Sequence, residues 1–376
     1  MLVPPVRGHG LFLPSGLEPA LMAAVAIAGT ILAWAFFGAS SISNDSSYAT
    51  LPRVNASEIR SVAYFAPEGS TDLLYVRGLD EPAPGRLVGA FASAFALHAR
   101  GVASPLGDSL AVLSVSPSRS PYASLALVAL PQGTRREVDV QVDYLSPLAW
   151  SADGNRLVAR RSSLPDEAGR VSVAVVEIAS PSGVPTVVAG FENAFEVVPV
   201  GYSLDRGRLF VVVIDQSGSA LWAIREGRLR RVANLGPGRT RDWALSPDGS
   251  RLAYIEAKGA GERAYAGRTL IIATGAVTST VAIANQFGAA WPPGSQSAVF
   301  GGPGGSLHLS DSGDGAYVVP QSWSPDGSTL VGAIYSTTNG HSGAPAPSIE
   351  VVTSERRTRL SQVLGASFIG WVRNLK

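Results

Sequence analysis

One turn sequence recurs along this chain and limits what the chain can fold into. It consists of a bulky apolar residue, Ser, Pro or Ala, Asp and Gly, followed by polar residues and an apolar strand. Pro presets φ for a turn, Asp hydrogen-bonds the local backbone and Gly takes a positive φ, so the pattern predicts a β-hairpin. The defining residues of the three clear copies are Trp150, Asp153 and Gly154, then Asp248 and Gly249, then Trp323, Asp326 and Gly327. We expect each bulky residue to plug the space between adjacent sheets.

Weaker copies of this turn extend the repeat along the chain and define its length. The residues that precede the Ser-like position are Phe65, Ala103, Trp150, Tyr202, Leu245, Trp291, Trp323 and Trp371. Their mean spacing is about 44 residues, which is typical of propeller blades built from short strands. We therefore predict an all-β fold, a β-propeller of about seven four-stranded blades over residues 56–376, with six or eight blades as alternatives. Trp371 is expected in a strand that closes the ring against the first blade, because closure removes exposed sheet edges.

The Trp-Ser-Pro-Asp-Gly turn with its following apolar strand resembles the WD40-like repeat of TolB-type propellers. The same repeat occurs in many bacterial periplasmic proteins and in the propellers of prolyl-oligopeptidase-like enzymes. The resemblance implies a propeller over about residues 50–376. The chain departs from the family because it lacks the usual polar signature in the outer strands, which leaves the number of blades open. It also leaves no room for the separate α/β domain of the prolyl-oligopeptidase-like enzymes.

An uncharged apolar segment lies near the N-terminus. Residues 20–37 read ALMAAVAIAGTILAWAFF, and a helix of that length rises about 27 Å, enough to cross most of a bilayer core. We predict an apolar leader at 1–18, a transmembrane helix at 19–40 and a polar linker at 41–55. Trp34, Phe36 and Phe37 would form an interfacial aromatic belt. The alternative is a cleaved signal peptide, which is less favoured because the long flank before the helix contains one Arg.

Two further properties of this segment bear on partners. Arg7 precedes the helix and Arg53 is the first Arg after it, so the positive-inside rule places the N-terminus in the cytoplasm and the propeller outside, in the periplasm. Small residues that would let another helix approach closely are Ala20, Ala24, Ala28, Gly29 and Ala33. The predicted partners are therefore integral membrane protein subunits and lipid.

Composition and motifs indicate no catalytic, cofactor or metal site. The chain has no Cys, which excludes disulfides, thiolate metal sites and covalently attached haem. A net charge of +1 gives no electrostatic footprint for nucleic acid. No G-x-S-x-G elbow is present, and the four histidines, His9, His98, His308 and His341, have no metal-ligand spacing. The Asp that recurs in each turn is interpreted as structural.

Basic residues are nearly all arginines, since Lys258 and Lys376 are the only lysines. This usage, with abundant Ala and Gly, suggests a GC-rich bacterial genome. Arginine clusters occur at 135–136, 228–231 and 356–359. We interpret them as solvated charge on loops or strand edges.

Three functional hypotheses follow. The first is a non-catalytic scaffold or accessory subunit of a larger membrane complex, for example a respiratory or photosynthetic one, that works through protein–protein contacts. The second is an extracytoplasmic sensor that binds a small ligand, peptide or glycan in the propeller mouth. The third is a propeller hydrolase or lyase with a site in the central channel.

Overall fold

A computed structural model of the chain describes residues 55–375, except 95–96, 116–121, 165, 167–170, 205–206, 259–263, 280–284, 308–315, 336–346 and 354–355. The predicted leader, the helix at 19–40 with its small residues and aromatic belt, and residues 41–54 of the linker lie outside this range. So do His308 and His341. In the residues that are described, no helix is long and apolar enough to span a bilayer.

The described chain is almost entirely β-strand. A short 3-10 helix at Ala56–Glu58 precedes the strands. In the first half the strands are β1 (Ser61–Glu68), β2 (Thr71–Gly78), β3 (Arg86–Ala92), β4 (Arg100–Ala103), β5 (Ser109–Val115), β6 (Tyr122–Ala129), β7 (Thr134–Asp143), β8 (Ala149–Trp150), β9 (Arg156–Ser162), β10 (Ser172–Ala179), β11 (Pro185–Glu192), β12 (Glu196–Tyr202) and β13 (Leu209–Asp215). In the second half they are β14 (Gly218–Arg225), β15 (Arg228–Gly236), β16 (Thr240–Leu245), β17 (Arg251–Lys258), β18 (Ala264–Ile271), β19 (Ala276–Ser279), β20 (Phe287–Ala290), β21 (Val299–Gly301), β22 (Tyr317–Trp323), β23 (Leu330–Tyr335), β24 (Ser348–Val352), β25 (Arg357–Arg359) and β26 (Ser367–Val372).

These strands form antiparallel sheets arranged as propeller blades. Six sheets have four strands, in the orders β26-β1-β2-β3, β4-β5-β6-β7, β8-β9-β10-β11, β12-β13-β14-β15, β16-β17-β18-β19 and β22-β23-β24-β25. First strands of neighbouring sheets contact one another, as β26 does β4 and β12 does β16, so the first strands are innermost.

The predicted number of about seven four-stranded blades is wrong, since the described residues form six. Between the fifth and sixth of these lies a two-stranded sheet, β20-β21, packed against β16, β17 and β22. The spacing between Trp291 and Trp323 is correspondingly shorter than the mean period. The alternative of six blades is the one that agrees with the structure.

The ring is closed by strands from the two ends of the described chain. β26 pairs with β1, with Val62 opposite Trp371, so the first blade takes its innermost strand from the C-terminal side. This confirms the expected place of Trp371. Phe65, by contrast, is not an anchor of the repeat, because it lies inside β1, the second strand of its blade.

Apolar clusters fill the spaces between neighbouring blades. The second strand of a blade is covered on both faces by adjacent sheets, so its sequence is almost continuously apolar and buried, as in β13 (LFVVVID). Fourth strands are outermost and more exposed, and β7 alternates between buried and exposed residues over its C-terminal half. At the closing seam, Val62 and Tyr64 pack with Val331, Val351 and Trp371, which joins the first and last blades.

Replacing Trp371 by Ala tests this closure. Trp371 is buried and lies edge-on to Phe368, so Trp371→Ala should lower the free energy of unfolding by about 3–5 kcal/mol. Urea unfolding measures the change. The matched control is Leu364→Ala, since Leu364 is 63% exposed and its change should stay below about 0.5 kcal/mol. Equal midpoints for the two variants would contradict a closing role for β26.

Two buried tyrosines make stability fall at alkaline pH. Burial raises the pKa of Tyr64 and of Tyr254 to about 12. The Tyr254 hydroxyl donates to the Leu235 carbonyl oxygen at 3.0 Å. Because each folded-state pKa lies above the unfolded value of about 10, their contribution is complete below pH 10 and is lost as pH rises to about 12. Unfolding curves between pH 9 and 12 should show this loss, and Tyr254→Phe should make it shallower; an unchanged slope would contradict the assignment.

Candidate functional site

The ring has two faces that differ in chemistry. Every connection from a first to a second strand lies on one side, which we name the turn face. Connections from second to third strands, and from one blade to the next, lie on the other side, which we name the loop face. This follows from the common direction of all innermost strands.

The predicted turns lie on the turn face and have one hydrogen-bond pattern. The Asp carboxylate accepts from the Ser hydroxyl two residues earlier, at 2.5 Å from Ser151 to Asp153 and at 2.6 Å from Ser324 to Asp326. Ser246 donates to Asp248 at 2.5 Å in the same way. The amide two residues after the Asp donates to the same carboxylate. The structure therefore uses these carboxylates within their own turns and does not bring them together.

Glycine is required at these turns. Gly154, Gly249 and Gly327 have φ of 70°, 67° and 74°, a left-handed backbone that other residues adopt with strain. The bulky residue Trp150 packs with apolar residues of its own blade and of the preceding one, as expected of a side chain that fills the space between sheets. The Trp150 indole donates to the Val102 carbonyl oxygen of the preceding blade at 3.2 Å. Trp323 lies at the end of β22 and packs against an apolar cluster.

Hydrogen bonds lower the pKa of the turn carboxylates. The bond from Ser246 is the main cause for Asp248, and the bond from Ser324 is the main cause for Asp326. Desolvation alone would raise the pKa of Asp153, but the bonds from Ser151 and Asn155 outweigh it and the pKa is lowered. All three groups are thus held ionised, which suits acceptors in a turn and not general acids.

The loop face carries a row of aromatic rings that sequence analysis missed. Tyr265 and Phe287 have ring centroids 5.5 Å apart, Phe287 and Tyr317 6.1 Å, and Tyr317 and Tyr335 5.3 Å. Each ring is half-buried. We name Tyr265, Phe287, Tyr317 and Tyr335 the aromatic row. The four residues come from three sheets, so the row spans adjacent blades.

Arg241 lies over one end of the aromatic row. Its guanidinium carbon is 5.6 Å from the Tyr265 ring centre and 5.7 Å from that of Phe287, within cation–π range. Its side chain is half-exposed and its Nε is 3.1 Å from Asp242. Asp242 also accepts from the Gly288 amide at 2.9 Å, which ties β16 to β20. The result is a preorganised surface of rings with one accessible cation.

A second polar cluster on the loop face holds blades together. Asp143 accepts from Arg160 Nε at 2.8 Å and from the Ser162 amide at 2.7 Å. Arg160 Nη1 lies 3.6 Å from Glu196 Oε1 of the next blade. The Arg160 side chain is 11% exposed and that of its partner Asp143 is 14% exposed. Because Arg160 and Asp143 are paired and largely buried, and Arg160 also reaches Glu196, we interpret this cluster as an inter-blade clamp.

An Asp–His pair lies on the same face. Asp72 is buried, accepts from the Ala99 amide at 2.5 Å and lies 2.9 Å from His98 Nδ1. His98 is about half exposed. Within the described ranges no hydroxyl group hydrogen-bonds to its other ring nitrogen, so the pair is not assembled as a nucleophile–base–acid triad there. The described residues also contain no group of three or more His, Asp or Glu that could hold a metal ion.

Known structures share the fold. The sequence matches no protein-family model and no curated protein. TolB from Acinetobacter baumannii superposes with a TM-score of 0.51 at 13% identity, over 84% of this chain and 67% of that one. An acylaminoacyl peptidase from Pyrococcus horikoshii gives 0.55 at 12% identity, over 81% and 51%. The β-propeller domain of the Trilobed protease from Pyrococcus furiosus gives 0.51 at 10% identity, over 80% and 98%.

These likenesses establish a TolB-like propeller fold. This chain spans about half the length of the peptidase. The Trilobed protease domain is described as having an open velcro topology, whereas β26 closes the ring here.

The turn interpretation is tested by Asp248→Ala. The change removes the acceptor for the Ser246 hydroxyl and for the Ser250 amide and hydroxyl. The free energy of unfolding should fall by about 1–2 kcal/mol. Asp80→Ala is the control, because Asp80 is 87% exposed and 3.8 Å from its partner Arg356, so its change should stay below about 0.5 kcal/mol. Urea unfolding that does not separate the two variants would show that the Asp is dispensable for the turn.

Proposed function

We propose that this chain is a non-catalytic, membrane-anchored propeller that serves as a scaffold or accessory subunit of a larger membrane protein complex, respiratory or photosynthetic complexes being examples. A protein partner docks on the loop face through the aromatic row. The observation that carries this proposal is the packing of four aromatic rings in one row, with the half-exposed Arg241 over the end formed by Tyr265 and Phe287.

The chemistry of the aromatic row is that of a protein interface. Tyr, Phe and Arg are enriched at interface centres and supply most binding energy there. Rings that already pack against one another lose little conformational entropy on binding. Arg241 adds a guanidinium that can bind a carboxylate or a carbonyl oxygen of the partner.

The anchor is the second part of the proposal. The segment 19–40 supplies a transmembrane helix, its small residues pack against helices of the partner complex, and the propeller lies in the periplasm with the N-terminus in the cytoplasm. Its support is the uncharged apolar sequence from Pro19 to Asn44 together with the position of Arg7 and Arg53.

The polar clusters favour a scaffold over an enzyme. The turn carboxylates and the clamp around Arg160 are internally paired. The shared fold is neutral on this point, since it occurs both in a TolB and in peptidases. No described cluster favours the third hypothesis, a hydrolase or lyase with a channel site.

The second candidate function is an extracytoplasmic sensor that binds a peptide or glycan on the loop face. The observation that favours it is the pairing of Arg241 with Asp242 beside the rings, which places a donor and an acceptor next to an apolar surface. Aromatic grooves of this kind bind proline-rich peptides.

Site-specific photo-crosslinking tests the scaffold proposal. A photoreactive phenylalanine analogue replaces Phe287 in the full-length chain, and membranes are irradiated before mild-detergent extraction and mass spectrometry. We expect a protein adduct of one defined mass, reduced several-fold by Arg241→Ala. The control carries the analogue at Leu229, which is 40% exposed on the turn face, and should not give that adduct.

Two outcomes would contradict the scaffold. A chain that elutes alone as a monomer and gives no protein adduct at Phe287 is not docked through the aromatic row. A peptide or glycan that instead protects the Phe287 position and raises the melting temperature, an effect lost in Arg241→Ala, would establish the sensor function.

A further inference from the structure

We propose that the turn face is the membrane-facing side of the propeller and that its arginines bind the phosphate groups of anionic lipids. This proposal rests on the membrane anchor proposed above. It adds an orientation, a lipid class and the residues that select it.

The chain enters the propeller on the turn face. Residues 55–60 lead into the start of β1, which is the turn-face end of a second strand. They are held there, because the Asn374 amide donates to the Glu58 carbonyl oxygen at 3.1 Å and Arg373 donates to Gly107, in the turn of the next blade, at 2.8 Å. Even fully extended, residues 41–54 span about 50 Å at most. A helix at 19–40 would therefore keep the entry point on this face within about 50 Å of the bilayer.

An arginine-lined groove opens on the same face. It lies between the blade of β12–β15 and the blade of β16–β19 and has a volume of about 940 Å³. Its cationic residues are Arg208, Arg225, Arg228 and Arg230. Arg228 and Arg230 are exposed, and among the residues described no hydrogen bond or ion pair to either guanidinium group is found, while their backbones pair with β14. The groove thus offers guanidinium groups that the fold itself does not use.

The acidic residues of this groove are already engaged in hydrogen bonds or an ion pair with neighbouring residues. Asp248 accepts three hydrogen bonds within its own turn. Glu226 is 3.5 Å from Arg225. The groove therefore keeps an excess of positive charge where the two unpaired arginines lie.

Positive charge continues around the turn face. A second cavity of about 470 Å³, between the last and first blades, is lined by Arg60, Arg77 and Arg356 with Asp80. Arg60 and Arg356 are exposed. The two cavities belong to different blade pairs, so the charge covers a broad area instead of one pocket.

A lipid surface fits these features better than an acidic protein. The charge is spread over separate blade junctions on one side of a ring, which suits a planar partner. Guanidinium forks bind phosphate oxygens bidentately. The chain also enters from the bilayer on this side, so headgroups are already within reach.

The test uses the absence of Cys from the chain, which lets one introduced Cys carry a fluorophore. Ala273→Cys labels the groove and Gln216→Cys labels the loop face of the neighbouring blade, and both positions are exposed. The full-length chain is incorporated into nanodiscs of phosphatidylcholine alone or with phosphatidylglycerol, with a quencher attached to some headgroups. Arg228→Gln with Arg230→Gln is compared with Arg100→Gln plus Arg239→Gln, an exposed pair on the loop face.

We expect stronger quenching at position 273 than at 216, and more of it in anionic discs. The double variant at 228 and 230 should reduce the ratio of docked to undocked propeller about 25-fold, because each arginine near an anionic surface contributes a factor of about five. Salt should weaken docking, and the pair at 100 and 239 should leave it unchanged.

Other results would overturn the proposal. Equal quenching at the two positions, or quenching that ignores lipid charge and the 228/230 substitutions, excludes lipid binding by the turn face; an acidic protein is then the better partner. Failure of the anchor is seen separately, as release of the chain from neutral vesicles by alkaline carbonate. The released chain, mixed with anionic vesicles, still reports on the arginines through sedimentation of wild type and the 228/230 variant.

Discussion

The pairing of β1 with β26 is the interaction on which the rest of the structure depends. Each blade buries its apolar faces only against its two neighbours, so an open ring would expose two of these faces and two sheet edges. The hydrogen bonds between Ser61–Phe65 and Ser367–Val372 remove both exposures, and the cluster of Tyr64, Val331 and Trp371 fills the seam. The faces, grooves and aromatic row all take their positions from a ring closed in this way.

Local signals in the sequence predicted local structure well. The turns at Asp153, Asp248 and Asp326 depend on residues within a span of six, so their hydrogen bonds could be read from the order Ser, Asp, Gly. Trp371 was also placed correctly, because its period matched and closed rings avoid edges. The apolar run at 209–214 is a third local signal, because it lies in β13, and a strand covered on both sides must be apolar throughout.

Features set by distant residues were not predictable in the same way. The two-stranded sheet at Phe287–Gly301 shortens one repeat, and an average period conceals a single short interval. Phe65 resembles a turn anchor because the sequence Phe-Ala-Pro-Glu-Gly at 65–69 is similar to the repeated turn. In the structure this sequence forms the hairpin from β1 to β2. The aromatic row joins Tyr265, Phe287 and Tyr335, which become neighbours only when blades lie side by side. Phe287 lies four residues before Trp291 and Tyr317 six before Trp323, so no fixed spacing from these anchors would have paired the two rings.

The position of the entering segment has a mechanical consequence. Tension applied to the segment that precedes the propeller, as the proposed membrane anchor would apply it, reaches the sheet at Ser61, the first residue of β1. This strand is bonded on both sides, to β2 and to β26, by ladders whose hydrogen bonds run perpendicular to it. A pull along β1 therefore shears many bonds at once instead of peeling them one at a time. The strand that closes the ring is also the one best placed to resist force.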